Sequence, residues 1–163
     1  MTTIVANLEC MAADQRCTDD AGPLCHVKKI HRVGDSLFGL AGDAFIGLVI
    51  IEWLGTKRNR LQLYKMFGDE AIEWRYETSL LELSPAGLAV WNGWGLRMPI
   101  LDPTYGIGTG ADAALTAMDK GCTPEDAIRS VRRDPYSGLF SEPQVEYLLP
   151  PELARKVRRK RGA

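Results

Sequence analysis

From Asp43 to about Arg60 the chain has a helical pattern that is apolar nearly all round: Phe45, Ile46, Leu48, Val49, Ile50, Ile51, Trp53 and Leu54. Such a helix has no wide polar face to give to water, so it has to be buried on more than one side. In a chain of 163 residues this calls for a sheet of the same chain beneath it and a second cover, which we expect to be a neighbouring subunit. Strand patterns flank it in sequence. Thr2–Leu8 and Cys10–Asp14 read as two tightly joined strands, and Leu24–Val33 and Ser36–Gly42 as a hairpin turning at Gly34-Asp35. Leu61–Tyr76 reads as a second, short helical stretch. Strands resume at Ser79–Leu83 and Gly87–Trp91 around Ser84-Pro85-Ala86-Gly87, with a further one within Gly95–Ile100. Gly110–Lys120 reads as a helix stopped by Gly121. Thr123-Pro124-Glu125-Asp126 opens another, with a capping hydroxyl, a proline suited to the first turn and acids at the helix N-terminus. Gln144–Leu148 is a last strand. Strands, helices, strands, helices, strand is an α+β order, suited to two antiparallel sheets face to face with helices outside. Periodicity alone leaves other α+β layouts open.

The length fits one domain over residues 1–163, ending in a basic tail over 152–163 that contains Arg155, Lys156, Arg158, Arg159, Lys160 and Arg161. The tail reads as a solvated terminus, or as a docking tail for an acidic partner. A net charge of −1 gives no whole-chain case for nucleic acid. The longest apolar run, Ala44–Leu54, is broken by Gly47 and Glu52 and falls far short of a membrane span. Thr2–Asn7 lacks a basic leader and Glu9 and Asp14 follow early, so no signal peptide is expected. Cys10, Cys17, Cys25 and Cys122 make no C-x-x-C pair and read as reduced thiols of a cytoplasmic protein. Cys25, His26 and His31 are close in sequence, but adjacent strand residues point to opposite faces, so no metal site is expected.

Chemistry enters at Thr2. With Met1 removed, this residue carries a hydroxyl and a free α-amine whose reference pKa is about 8. Nucleophile and general base then sit on one residue. Alone, Thr2 is an ordinary strand residue. Its company is more specific: Asp14 and Arg16 in Ala13-Asp14-Gln15-Arg16-Cys17-Thr18, Lys29 in Val27-Lys28-Lys29-Ile30, Gly39-Leu40-Ala41-Gly42-Asp43-Ala44, Gly108-Thr109-Gly110, and Asp134-Pro135-Tyr136-Ser137-Gly138.

In order and spacing these segments resemble the proteasome β-subunit and HslV peptidase family of N-terminal nucleophile hydrolases, over roughly residues 2–60 and 79–148. The resemblance implies a four-layer αββα sandwich and a threonine endopeptidase. Thr2 Oγ attacks the peptide carbonyl, and its own amine takes the proton. Lys29 matches the family's active-site lysine; Lys28 faces the other side of the strand, while Val27, Lys29 and His31 share a face. Asp14 is the counter-charge that a buried lysine needs. Gly39 lies where the family supplies the oxyanion N–H. Thr109 stands where serine is usual, and its added methyl restricts the rotamer. Asp134 and Ser137 look like the pair that hydrogen-bonds the threonine amine. Arg16 and Thr18 belong to a stretch that pairs with substrate as an added strand.

Cys17, Val27, Leu37 and Ala41, with His31 nearer the base, are expected to line an apolar pocket that selects a hydrophobic residue before the cut. The resemblance further implies a peptide or unfolded polypeptide substrate, a homo-oligomeric ring, an ATP-dependent unfoldase as an optional partner, and no metal or organic cofactor. The chain departs from the family where the segments between the glycine turn and Thr109, and between Thr109 and Asp134, look shortened, which trims helices that build ring contacts. Two other functions fit the same fold: a catalytically idle ring subunit, and an amidase acting on a small amide. Coexistence of Thr2, Asp14, Lys29, Asp134 and Ser137 speaks against the first, and the apolar pocket against the second.

Overall fold

The computed structural model describes residues 2–17, 25–56, 59–67, 77–131 and 142–149. The basic tail, and the part of the Leu61–Tyr76 reading beyond Phe67 and before Glu77, lie outside the described residues. In chain order the strands are β1 (Ile4–Asn7), β2 (Cys10–Ala13), β3 (Arg16–Cys17), β4 (Cys25–His26), β5 (Ile30–Val33), β6 (Ser36–Ala41), β7 (Ser79–Ser84), β8 (Gly87–Asn92), β9 (Arg97–Ile100), β10 (Thr104–Ile107) and β11 (Gln144–Tyr147). The helices are α1 (Ala44–Thr56), α2 (Arg60–Phe67), α3 (Ala111–Asp119) and α4 (Pro124–Val131). One antiparallel sheet has the order β10-β1-β2-β11, the other β5-β6-β7-β8-β9, and β3 pairs with β4 in a separate ribbon.

Alternation of side chains along each strand sorts them into layers. Ile4, Ala6, Met11 and Ala13 of the first sheet meet Ile30, Leu37, Ala41, Leu81, Leu83 and Leu88 of the second in a core between the sheets. Val5 and Ala12 point the other way, onto Ala114 and Met118 of α3 and Ala127 and Ile128 of α4. Phe38, Leu40 and Leu80 likewise turn outward, beneath Ile46, Ile50 and Trp53 of α1 and Leu63 and Phe67 of α2. This is the expected four-layer αββα sandwich. The start of α4 follows the sequence signal, with Thr123 Oγ1 accepting from Asp126 N–H at 3.2 Å; α1 is capped in the same way by Asp43 Oδ1, which accepts from Ile46 N–H at 2.8 Å. Of the apolar surface of α1, Ile46, Gly47, Ile50 and Trp53 are buried by the chain's own sheet, whereas Phe45 is 65% and Leu48 48% exposed.

Two departures from the expected elements matter for the site. Strand β10 carries no strand signal in the sequence, because Thr104-Tyr105-Gly106-Ile107 has no clear two-residue alternation. It forms because β1 offers it a sheet edge, with Ile4 opposite Ile107 and Asn7 opposite Thr104. Leu24–Val33 is not one strand. Cys25–His26 pairs with Arg16–Cys17, residues 27–29 leave the ladder, and Ile30–Val33 joins the large sheet. A face assignment therefore cannot be carried from Val27 through Lys29 to His31.

Gly39 lies in the middle of β6, on the side facing the other sheet. A Cβ built there would stand 2.6 Å from Ile4 Cγ2 and 2.8 Å from Met11 Sδ, both fully buried. Gly39→Ala should therefore force the sheets apart and lower stability by about 1–3 kcal/mol, read as a shift of the urea midpoint; a variant as stable as the parent would mean that the sheets are not in this contact.

Candidate active site

Thr2 and Thr3 lead into β1, and Asp14 follows directly on β2. The hairpin register, Ile4 opposite Ala13, brings Thr3 and Asp14 side by side. Asp14 N–H donates to Thr3 O at 3.1 Å, and Thr3 N–H donates back to Asp14 Oδ1 at 2.6 Å. The second carboxylate oxygen, Oδ2, accepts from Arg16 N–H at 3.2 Å and from Lys29 Nζ at 2.9 Å. Lys29 comes from the other sheet, one residue before β5. Its ammonium also donates to Thr2 Oγ1 at 3.2 Å. Lys29 and Asp14 are each 5% exposed. A buried ammonium is tolerable only with a nearby opposite charge, and a buried carboxylate only with donors on its oxygens; each supplies what the other lacks. The result is a fixed positive charge aimed at a threonine hydroxyl that is itself partly open to solvent.

The loop after β10 holds the backbone of Thr2. Gly110 N–H and Thr109 Oγ1 both reach Thr2 O at 3.4 Å. Gly108 takes a positive φ of 89° there, and a side chain on it would run into Thr2 O and C, so only glycine serves. Thr109 thus meets the carbonyl of Thr2 through its hydroxyl. Asp134, Ser137 and Thr18 lie outside the described residues.

Three other expected roles are corrected. Gly39 is not an oxyanion donor. Leu40 N–H donates to Lys29 O at 2.9 Å, so Leu40 directs its amide toward β5; amides alternate along a strand, and Gly39 directs its own toward β7, opposite Leu81. Its N–H belongs to the sheet and its Cα to the core. His31 does not stand with Lys29. It pairs with Phe38, which packs under the helices, and its Nε2 lies 3.2 Å from Lys28 O, to which it donates as the neutral ring. Burial pushes the His31 pKa below its ordinary 6.5; the hydrogen bond to the Lys28 carbonyl opposes this and the Lys28 charge adds to it. Leu37 has no exposed surface and sits in the core between the sheets, so it has nothing to offer a pocket.

Arg16 and Cys17 form the short ribbon with Cys25 and His26, extended by Val27 N–H donating to Gln15 O at 2.8 Å. Val27 is half-buried, and Ala41, 4% exposed, ends β6. Sequence reasoning passed over two groups: Thr3, whose amide holds Asp14, and Gln144, whose side chain bonds the backbone of Lys29 and Ile30. Neither carries a motif; only the folded pairing reveals them. Among the described residues no helix is long and apolar enough to cross a membrane.

No family model matches this sequence, and no curated protein matches it. Its fold does match solved structures. HslV from Trypanosoma brucei superimposes with a TM-score of 0.60 at 22% identity, over 89% of this chain and 98% of that one. The BPH protein of Thiobacillus denitrificans does so with a TM-score of 0.59 at 21% identity, over 91% and 98% of the two chains. The same BPH in complex with epoxomicin gives 0.57 at 20% identity, over 91% and 99%. These superpositions, over two antiparallel sheets between two helical layers, make this chain's fold that of HslV and BPH.

Proposed function

We propose that this protein is a threonine-type endopeptidase with Thr2 as its N-terminal nucleophile after loss of Met1. The observation that carries the reading is the Lys29 ammonium held between Asp14 Oδ2 and Thr2 Oγ1 at 2.9 and 3.2 Å. In the reaction Thr2 Oγ bonds to the peptide carbonyl carbon while the α-amine takes the hydroxyl proton. The positive charge of Lys29 lowers the cost of negative charge building on Oγ. The tetrahedral intermediate collapses, the C–N bond breaks, and the α-ammonium returns its proton to the leaving amine. Water then attacks the threonine ester with the same amine as base. Asp134 and Ser137 are proposed to orient that amine. For the oxyanion we assign Gly42 in place of Gly39, because it stands just past the end of β6, outside the ladder with β7, and is exposed.

The substrate is proposed to be an extended peptide or unfolded polypeptide running along the Arg16–Thr18 segment, with Cys17 and Val27 facing the residue before the cut; Ala41, buried in the core between the sheets as Leu37 is, is not counted with them. Their apolar character supports cleavage after hydrophobic residues. The outward Phe45 and Leu48 of α1 support assembly of a single-domain subunit into a homo-oligomeric ring, working in the cytoplasm, with an ATP-dependent unfoldase as an optional partner. A fluorogenic peptide panel, with light scattering on the same sample, tests the proposal. We expect turnover of substrates with leucine or phenylalanine before the cut, from an oligomer. Preference for arginine or lysine would overturn the pocket, and a stable monomer at micromolar concentration would overturn the ring.

A further inference from the structure

Lys29 has to be held as well as charged. Its backbone enters β5 from the irregular stretch at 27–29, where, among the described residues, no neighbouring strand supports its N–H. That amide donates to the side-chain Oε1 of Gln144 at 2.8 Å, and the same oxygen accepts from Ile30 N–H at 3.0 Å. The other end of the carboxamide, Nε2, donates to Ile30 O at 2.8 Å. A glutamine side chain thus replaces a strand at the head of β5. Gln144 itself begins β11 and is paired with Ala13, the residue before Asp14. One side chain therefore ties the strand that delivers the lysine to the neighbour of the strand that delivers its counter-charge, across the gap between the two sheets.

We propose that Gln144 is a positioning residue: its carboxamide fixes the backbone of Lys29 so that Nζ spans Asp14 and Thr2. The proposal rests on the threonine-peptidase reading. Loss of the clasp leaves Lys29 tied by its carbonyl, which accepts from Leu40 N–H at 2.9 Å, and frees its amide side to tilt about that bond. The ammonium then follows Asp14, its strongest partner, and leaves Thr2 Oγ1. Turnover should suffer while substrate binding does not, since Gln144 holds Lys29 from the backbone side and Thr2 is reached only through the lysine. A second latch joins the same two strands without touching Lys29: Arg32 Nη1 and Nη2 donate to Leu148 O and Tyr147 O at 3.2 and 2.5 Å. It provides the control for simple loss of contact between β5 and β11.

The experiment compares Gln144→Leu, Gln144→Glu and Arg32→Ala in the full chain, reading kcat and KM on a fluorogenic peptide and hydrogen exchange at the amides of Lys29 and Ile30. Gln144→Leu should lower kcat by roughly ten- to a hundredfold, the scale of a small misplacement of a catalytic group, with KM nearly unchanged and both amides exchanging faster. Gln144→Glu keeps the oxygen that accepts from both amides but loses the donor to Ile30 O, and should recover part of the rate. Arg32→Ala should lower the melting temperature and spare kcat. If the leucine variant does not fold, Gln144→Asn, which withdraws the carboxamide by one methylene, carries the same expectation. Deprotected amides with an unchanged kcat would overturn the proposal, as would equal loss of kcat in Gln144→Leu and Arg32→Ala. An unmutated protein that cleaves no peptide, yet keeps both amides protected, would mark failure of the peptidase reading, with the clasp itself intact.

Discussion

Thr2→Ala is expected to leave a folded protein without peptidase activity, with kcat reduced by roughly a thousandfold or more, as when a nucleophile that works as a unit with its partners is removed. The fold should survive because Thr2 precedes β1 and is held through its carbonyl by Gly110 and Thr109, contacts that the substitution keeps. Thr2→Ser retains the hydroxyl facing Lys29 Nζ and should keep part of the rate. In the parent protein a peptide epoxyketone, which needs a hydroxyl and an amine on one residue, should add to Thr2. Mass mapping decides the matter: an adduct on a cysteine, or full activity in Thr2→Ala, would end the threonine assignment, whereas a parent protein that neither cleaves peptide nor takes the adduct would favour the idle-subunit alternative.

The second large effect belongs to the buried pair. Removing one member of such a pair leaves the other uncompensated in the interior, at a cost of about 3–5 kcal/mol. The two ends are unequal here. Asp14 keeps amide donors from Thr3 and Arg16 when the lysine is lost, whereas among the described residues the Lys29 ammonium has Thr2 Oγ1 alone besides Asp14. Asp14→Asn should therefore destabilise more than Lys29→Met, while both abolish turnover. Lys28→Ala should change little, since Lys28 is exposed and His31 uses its carbonyl, which every residue has. Denaturant unfolding and kcat measured side by side test this. Equal damage from Lys28 and Lys29 would show that the wrong lysine faces the site.

Much of this protein is written locally. The cap at Thr123 and the turn at Gly34-Asp35 depend on residues a few positions apart, and each element they predict is present. Thr2, Asp14 and Lys29 were also legible, because unusual residue types stand at spacings that a known family shares. What the sequence alone did not determine involves partners distant along the chain. Strand β10 exists because β1 had an unpaired edge about a hundred residues away in sequence. Gly39 reads as an oxyanion glycine until the direction of its neighbour's amide and the approach of Ile4 and Met11 make it a packing glycine. His31 and Leu37 read as pocket residues by position, and pairing turned the first toward the helices and sealed the second in the core. Gln144 looks like any polar strand residue, and becomes the clasp on Lys29 only because β11 lies beside β2 and opposite the head of β5. Local chemistry sets which elements form, while the direction of a given N–H or side chain is fixed by a neighbour that only the folded chain supplies.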